Sequence, residues 1–174
     1  MTHSSATVNE TSPLAQTLQS RALLLGTVAG MRSQLPLALL GLAARRGGFA
    51  RDSTGALSWL RDPRAQAALG LSAVGELLGD KLPQTPSRLF APALLGRLVI
   101  GAVAGVALYA EAGESPLEGA AFGAFGAALG SFGGYYARLG LSKATETSDL
   151  RWAVLEDGLV LGLGVLALQD KLLD

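Results

Sequence analysis

The stretch GTVAGMRSQLPLALLG, residues 26–41, decides how this chain folds. It lies inside an apolar run, residues 22–43, that is long enough to cross a membrane, yet its centre reads Arg-Ser-Gln and a proline follows. Pro36 has no N–H to donate to the carbonyl of Arg32, and its ring crowds that same carbonyl. The sequence therefore predicts a helix that is broken at Arg32.

A helix that opens inside an apolar run exposes backbone polar groups, which is tolerated only where protein or water surrounds them. Broken helices with polar groups at the break are a recurring way to build a substrate or ion site. We therefore assign Arg32, Ser33, Gln34 and Pro36 to a candidate substrate or ion pathway. The alternative is a simple proline kink, in which Arg32 pairs with a buried carboxylate and serves only assembly.

The composition is that of a membrane protein. Hydrophobic residues make up 49% of the 174 residues, charged residues make up 16% against about 25% in soluble domains, and the mean hydropathy is +0.37. The net charge is zero, so no whole-chain field attracts nucleic acid. The chain has no Cys and a single His, so we expect no cofactor and no metal ion.

Five apolar segments predict an all-α, polytopic membrane bundle, because backbone in lipid must satisfy its own hydrogen bonds. The segment at 65–79 is short, about 22 Å at ~1.5 Å per residue, against ~30 Å of hydrocarbon. A flexible polar tail is expected at 1–20 and a single transmembrane domain at 21–174. The five segments are 22–43, 65–79, 89–110, 119–137 and 152–169.

Glycines four residues apart recur in all five segments, and such pairs let two helix backbones approach closely. We expect them to pack the bundle, with segment 119–137 as the central or dimer-facing helix. The pairs are Gly26 and Gly30, Gly75 and Gly79, Gly101 and Gly105, Gly126 and Gly130, and Gly158 and Gly162.

Ionisable residues inside the apolar segments are the other candidates for the pathway. A charge at the centre of a lipid-facing helix costs at least ~2.5–3.5 kcal/mol, so these groups are expected to face the bundle interior or water. Asp80 lies one helical turn after Glu76 and shares its face. The set comprises Arg32, Glu76, Asp80, Arg97, Glu156 and Asp157.

The orientation of the chain stays open at this point. If all five segments span, the basic residues divide equally between the two sides, and the positive-inside rule selects neither orientation. Either the short segment 65–79 dips into the bilayer and returns, which places the N-terminus outside, or the protein inserts both ways and forms an antiparallel homodimer. A faint duplication, AVGELLG at 73–79 over AVLEDGL at 153–159, also favours an inverted repeat.

The order of these motifs resembles a family of small bacterial integral membrane proteins catalogued as a domain of unknown function. The resemblance covers residues 22–168 and rests on AGMRSQLPLALLGLAAR, on ELLGDKLP with its carboxylates and proline, on the glycine-rich segment and on WAVLEDGL. It implies a multi-pass protein of the bacterial cytoplasmic membrane. It implies no activity.

Three functions fit these observations. The first is a small transporter or channel whose pathway is lined by the broken helix and the carboxylates. Its substrate would be a small ion or molecule, and the protein would form a homo-oligomer in the lipid bilayer. The second is a structural or assembly protein whose ion pairs only set helix packing. The third is a lipid flippase or membrane enzyme, and the enzyme is disfavoured because the chain lacks Cys, a useful His and G-x-S-x-G.

Overall fold

Seven α-helices and one short 3₁₀ helix form the part of the chain that the computed structural model describes, residues 13–49, 58–79, 90–144 and 149–172. These ranges contain no strand, so the all-α prediction is confirmed. The helices are α1 (Pro13–Met31), α2 (Leu35–Arg45), the 3₁₀ helix (Ser58–Arg61), α3 (Pro63–Gly79), α4 (Ala91–Glu111), α5 (Pro116–Ala144), α6 (Asp149–Ala167) and α7 (Gln169–Leu172).

Each predicted apolar segment corresponds to observed helix. The segment at 22–43 becomes α1 and α2, and the later four become α3, α4, α5 and α6 with α7. Helix α1 begins at Pro13, so the second part of the predicted polar tail, residues 13–20, is helical. The first part, 1–12, lies outside the described residues.

The first apolar segment is broken at the predicted place. Helix α1 ends at Met31 and α2 begins at Leu35. The N–H of Arg32 still donates to the carbonyl of Val28 at 2.7 Å, which completes the last turn of α1. We call residues 32–34 the tip, because the chain changes direction there.

The two limbs on either side of the tip return to the same end of the molecule. Neighbouring residues of α7 contact both: Asp170 pairs with Arg21 on α1, and Lys171 donates to the carbonyl of Gly48 just after α2. On one continuous helix these two contacts would lie about 40 Å apart, which adjacent side chains cannot bridge. The stretch predicted as one broken span is therefore a helical hairpin.

Two further helices run along the hairpin and bring carboxylates to the tip. Helix α3 lies antiparallel to α2, with Gln66 beside Gly41 and Glu76 at the tip. Helix α6 lies antiparallel to α1, with Gly164 beside Val28 and Asp157 at the tip, and Asp170 of α7 pairs with Arg21 further along α1. One apolar cluster joins α1, α2 and α4 and includes Leu25, Leu40 and Leu108, and Leu168 after α6 belongs to it as well.

Helix α5 packs between α1 and α4 through glycines. A Cβ added to Gly123 would lie 2.0 Å from the carbonyl oxygen of Gly101 on α4, and one added to Gly26 on α1 would lie 2.1 Å from the carbonyl oxygen of Gly123. The backbones of three helices therefore meet with no room for a side chain. The same close approach holds at Gly30, Gly105, Gly119, Gly126 and Gly130.

The glycines of α3 and α6 differ from this pattern. A Cβ at Gly75, Gly158 or Gly162 would meet nothing within 4 Å, so these positions face open space. The glycine pairs of α1, α4 and α5 thus lie at close helix contacts, whereas Gly75 of α3 and the pair of α6 lie outside the contacts of the described residues. The surroundings of Gly79 are outside the described part of the chain.

Of the described helices, one is both long enough and apolar enough to cross a membrane. This is α4, with a mean hydropathy of 1.9 over its most apolar 18 residues, of which 39% are buried. Helix α2 is apolar but shorter. The finding agrees with the apolar composition, and on its own it is weak support for a membrane location.

Replacing Gly123 by Ala tests the three-helix contact. Ala favours a helix over Gly by about 1 kcal/mol, but here its Cβ would collide with backbone, and we expect a net destabilisation of about 1–3 kcal/mol. Thermal unfolding of the detergent-solubilised protein, followed by circular dichroism, should show a lower Tm. Gly162→Ala is the matched control and should leave the Tm equal or higher, and equal Tm values for the two variants would contradict the packing.

Candidate functional site

Glu76 holds the tip from the side of α2. Its Oε1 accepts hydrogen bonds from the backbone N–H and the hydroxyl of Ser33, both at 2.8 Å, and its Oε2 accepts from the N–H of Gln34 at 2.9 Å. Gln34 is the N-cap of α2 and makes no cap hydrogen bond with its own side chain. A carboxylate from another helix therefore caps α2.

The capping also has an electrostatic component. The N-terminus of a helix carries a partial positive charge and unpaired N–H groups, so a carboxylate is stabilised there. Pro36 stands in the first turn of α2, where its missing N–H leaves no intrahelical hydrogen bond unmade. The proline that ends α1 thus also starts α2, and Glu76 binds the N–H groups between them.

Asp157 holds the tip from the side of α1. Nε of Arg32 donates to Oδ1 of Asp157 at 2.9 Å, and one terminal guanidinium nitrogen donates to the same oxygen. Arg32 is 1% exposed, which makes it one of the largest fully buried side chains among the described residues. A buried cation without a nearby carboxylate would cost several kcal/mol, so the ion pair is a condition of this fold.

A cavity of about 240 Å³ opens beside the tip, between it and the first half of α4. Ser33 and Gln34 line it from the tip, and Arg97 lines it from α4. The remaining lining residues are small or apolar: Pro92, Ala93, Gly96 and Ile100. Arg97 is 8% exposed, so a second, nearly buried cation lies across this cavity from the break in the first helix.

A separate polar cluster fastens the opposite end of the hairpin. Arg21 pairs with Asp170 at 2.8 Å, and Arg46 donates to the carbonyl of Leu172. Partial burial acts to raise the pKa of the Asp170 carboxyl, but the hydrogen bond and charge of Arg21 outweigh it and hold this pKa below its usual range. This cluster ties α7 to both limbs of the hairpin.

The structure brings most of the predicted site residues to the tip or its cavity. Arg32, Ser33, Gln34, Glu76 and Asp157 bond to one another in two groups, Pro36 follows in α2, and Arg97 borders the cavity. Glu156 is partly buried next to Asp157, and Asp80 lies outside the described residues.

Sequence reasoning missed the cluster at α7 and the choice of partners at the tip. Nothing in the spacing distinguishes Asp157 from Glu156, because adjacent residues on a helix point about 100° apart and the orientation of α6 is set by packing. The Arg21 to Asp170 pair joins residues 149 positions apart, and no local pattern signals it.

The ion pair at the tip can be tested with a double substitution. Arg32→Met should destabilise the protein by about 3–5 kcal/mol, because it breaks a mostly buried ion pair and leaves the partly buried carboxylate of Asp157 without this cation. Arg32→Met combined with Asp157→Leu should recover much of the loss, since two apolar side chains replace the pair. Thermal unfolding in detergent gives the comparison, and strictly additive losses would show that the two residues do not act as a pair.

Comparison with known proteins gives the chain a family and no activity. No curated protein and no solved structure matches it. Residues 20–170 match a family described as Domain of unknown function (DUF4126), and this range includes α2 to α6, the tip and the cavity. The chain belongs to this DUF4126 family of unknown function.

Proposed function

We propose that the protein is a small multi-pass transporter or channel of the bacterial cytoplasmic membrane, and that its substrate passes the tip of the hairpin. The observation that carries the proposal is the cavity beside the tip. It lies against a broken helix and is lined by the nearly buried Arg97, in an otherwise apolar bundle. Irregular backbone at membrane depth is tolerated where it lines such a cavity.

The distribution of polarity supports a membrane location. Arg32, Arg97 and Ser131 are buried, whereas large apolar side chains on α3 to α6 are exposed. A soluble bundle has the opposite arrangement, and exposed apolar faces on several sides are what lipid tails would cover. These side chains include Leu71, Val74, Leu78, Leu95, Val99, Leu117, Phe125, Leu129, Phe132, Val154, Leu155, Leu159, Leu161 and Leu166.

The depth of the tip supports a midplane site. The hydroxyl of Ser131 donates to the carbonyl of Gly30 at 3.2 Å, so the end of α1 lies level with residue 131 of α5. Helix α5 has 29 residues, about 43 Å at ~1.5 Å per residue, and residue 131 is close to its middle. If α5 crosses the bilayer, the tip lies near the centre of the hydrocarbon.

The hairpin also changes how the basic residues divide between the two sides of the membrane. Both limbs and the start of α3 meet at the end that α7 occupies, and the basic residues of the described ranges at this end are Arg21, Arg45, Arg46, Arg61, Arg64 and Lys171. The opposite ends of α5 and α6 carry Arg138, Lys143 and Arg151, whereas Arg51, Lys81 and Arg88 lie outside the described residues. Among the described residues this excess favours a cytoplasmic α7 end under the positive-inside rule. A homodimer in the bilayer, parallel or antiparallel, stays part of the proposal.

Blocking the cavity tests the proposed pathway. Gly96 lines the cavity, and a Cβ there meets nothing within 4 Å, so Gly96→Phe should fill the space without moving backbone. In liposomes that contain the purified protein, we expect a flux of small ions above that of empty liposomes, and we expect this variant to abolish it. Gly162→Phe places the same ring on open space and should leave the flux intact. A flux that survives Gly96→Phe would contradict a path through this cavity.

One observation favours the alternative, a structural or assembly protein. Arg32 is fully buried in its ion pair, and Glu76 uses both oxygens on backbone and hydroxyl donors, as groups that only fix helix packing would do. In that case the cavity is closed to water in the membrane. The two functions therefore differ in the solvent access of the cavity lining.

Thiol labelling separates the two functions, because the chain has no native Cys. Ala93→Cys places a thiol on the cavity wall, and Ala104→Cys places one at a fully buried position as the control. With a membrane-impermeant thiol reagent on intact membranes, we expect Ala93→Cys to react readily and Ala104→Cys to stay unlabelled. Complete protection at both positions would favour the assembly function.

A further inference from the structure

We propose that the cavity binds a small oxyanion, a phosphate or carboxylate group, with Arg97 as the cation that recognises it and Gln34 and Ser33 as its polar neighbours. This inference rests on the proposed function and deepens it, because it gives the pathway a substrate class. The sequence alone leaves the substrate open as a small ion or molecule.

The carboxylates at the tip are already used by the fold. Both oxygens of Glu76 accept hydrogen bonds from Ser33 and Gln34, and Oδ1 of Asp157 accepts two from Arg32. In the described part of the chain, no group of three acidic or His side chains converges as metal ligands do. A cation that entered the site would have to displace these bonds.

The charge that borders the cavity is positive. In the described ranges, Arg97 is the charged residue among those that line the space, and neither Glu76 nor Asp157 is part of the lining. Its guanidinium has five N–H donors in a planar fork, which matches the two oxygens of a carboxylate or phosphate. Arg97 also has a partner within the protein, and a bound oxyanion would share the guanidinium with it.

The rest of the lining strengthens the attraction between Arg97 and an anion. Pro92, Ala93 and Ile100 give the cavity apolar walls, which lower the local dielectric and make a charge-assisted hydrogen bond stronger than in water. The hydroxyl of Ser33 and the side-chain amide of Gln34 supply further polar groups on the facing wall. Among the described residues, the lining combines a buried cation with neutral polar groups and includes no carboxylate.

The size of the cavity limits the ligand. Its volume of about 240 Å³ is below the ~300–1,000 Å³ of sites for drug-sized molecules. It therefore accommodates an inorganic or small organic anion, or the head group of an anionic lipid that enters from the side. Both sources offer the same chemistry to Arg97, a pair of oxygens that share a negative charge.

Substitution of Arg97 tests the inference. In liposomes with the purified full-length protein, we expect uptake of radiolabelled phosphate or acetate to exceed that of rubidium. Arg97→Gln should reduce it to the level of empty liposomes, and Arg97→Lys, which keeps the charge without the fork, should leave an intermediate rate. Gly162→Phe should have no effect, as it lies outside the cavity.

Binding is measured separately from transport. Phosphate should raise the Tm of the wild-type protein in detergent above that in sodium chloride of equal ionic strength, since a ligand that binds the folded state stabilises it. Loss of a charge-assisted hydrogen bond should weaken the apparent affinity about tenfold or more in Arg97→Lys. This conservative variant decides the case if Arg97→Gln does not fold.

An assay of lipid movement identifies whether the oxyanion belongs to a lipid head group or to a free anion. In phosphatidylcholine vesicles doped with fluorescent phosphatidylglycerol, movement of the labelled lipid between leaflets that is lost in Arg97→Lys or Arg97→Gln would assign the site to a head group. Phosphate or acetate uptake with no lipid movement would assign it to a free anion. Either result supports an oxyanion site.

Two outcomes would overturn the inference. A rubidium flux that Gly96→Phe blocks and Arg97→Gln leaves unchanged would keep the pathway and reject the oxyanion. The absence of any phosphate-dependent Tm shift, together with the absence of oxyanion uptake and lipid movement, would reject the binding site itself. A Tm shift without flux of any kind would keep the oxyanion site and reject the proposed transport.

Discussion

The rest of this structure depends on how the chain satisfies its backbone where the first helix opens. Between Met31 and Leu35 the helical hydrogen-bond ladder stops, and the partly buried backbone of Ser33 and Gln34 has no helical partner for its N–H groups. Glu76 on α3 accepts the N–H groups of Ser33 and Gln34, and Asp157 on α6 neutralises Arg32. Because each unsatisfied group would cost several kcal/mol, the positions of α3 and α6 are set by the tip.

The glycines of α5 make that arrangement geometrically possible. A hairpin inserted among helices brings an additional limb into the bundle, and ordinary side chains would hold the helices about 8–10 Å apart. Gly26 and Gly101 contact the backbone of Gly123, so α1 and α4 both pack against α5 at a shorter distance than side chains would allow. The close packing leaves α4 near enough to the tip for Arg97 to border the cavity. The glycines therefore bring the helices close enough for the buried charged residues to lie beside the tip.

The sequence predicts local features of this fold well. Pro36 locates the break, the glycine spacing identifies the faces of α1, α4 and α5 that pack, and the cost of charge in an apolar segment marks Arg32, Glu76 and Arg97. These inferences depend on residues within one helical turn of each other. They need no knowledge of how the helices are arranged.

Relations between distant elements cannot be predicted in this way. A proline break is compatible with a bent span or with a hairpin. The contacts of Asp170 and Lys171 with opposite limbs show that it is a hairpin. Likewise Gly158 and Gly162 satisfy the spacing rule, yet their face meets no other helix, because the rotation of α6 is set by Asp157 and by contacts such as that of Gly164 with Leu39.

The two anchors at the tip act on different limbs, and this has a physical consequence for the pathway. Glu76 binds the start of α2 and belongs to α3, whereas Asp157 binds the residue that follows α1 and belongs to α6. A displacement of α3 alone would free two backbone N–H groups, and a displacement of α6 alone would leave Arg32 without its carboxylate. Either state requires a substitute partner for the freed groups, and Ser33 and Gln34 line the adjacent cavity, where water or a bound anion lies close to both residues. In the proposed pathway, a movement of α3 or α6 would therefore exchange the bonds that stabilise the hairpin, whereas a ligand at Arg97 leaves them in place.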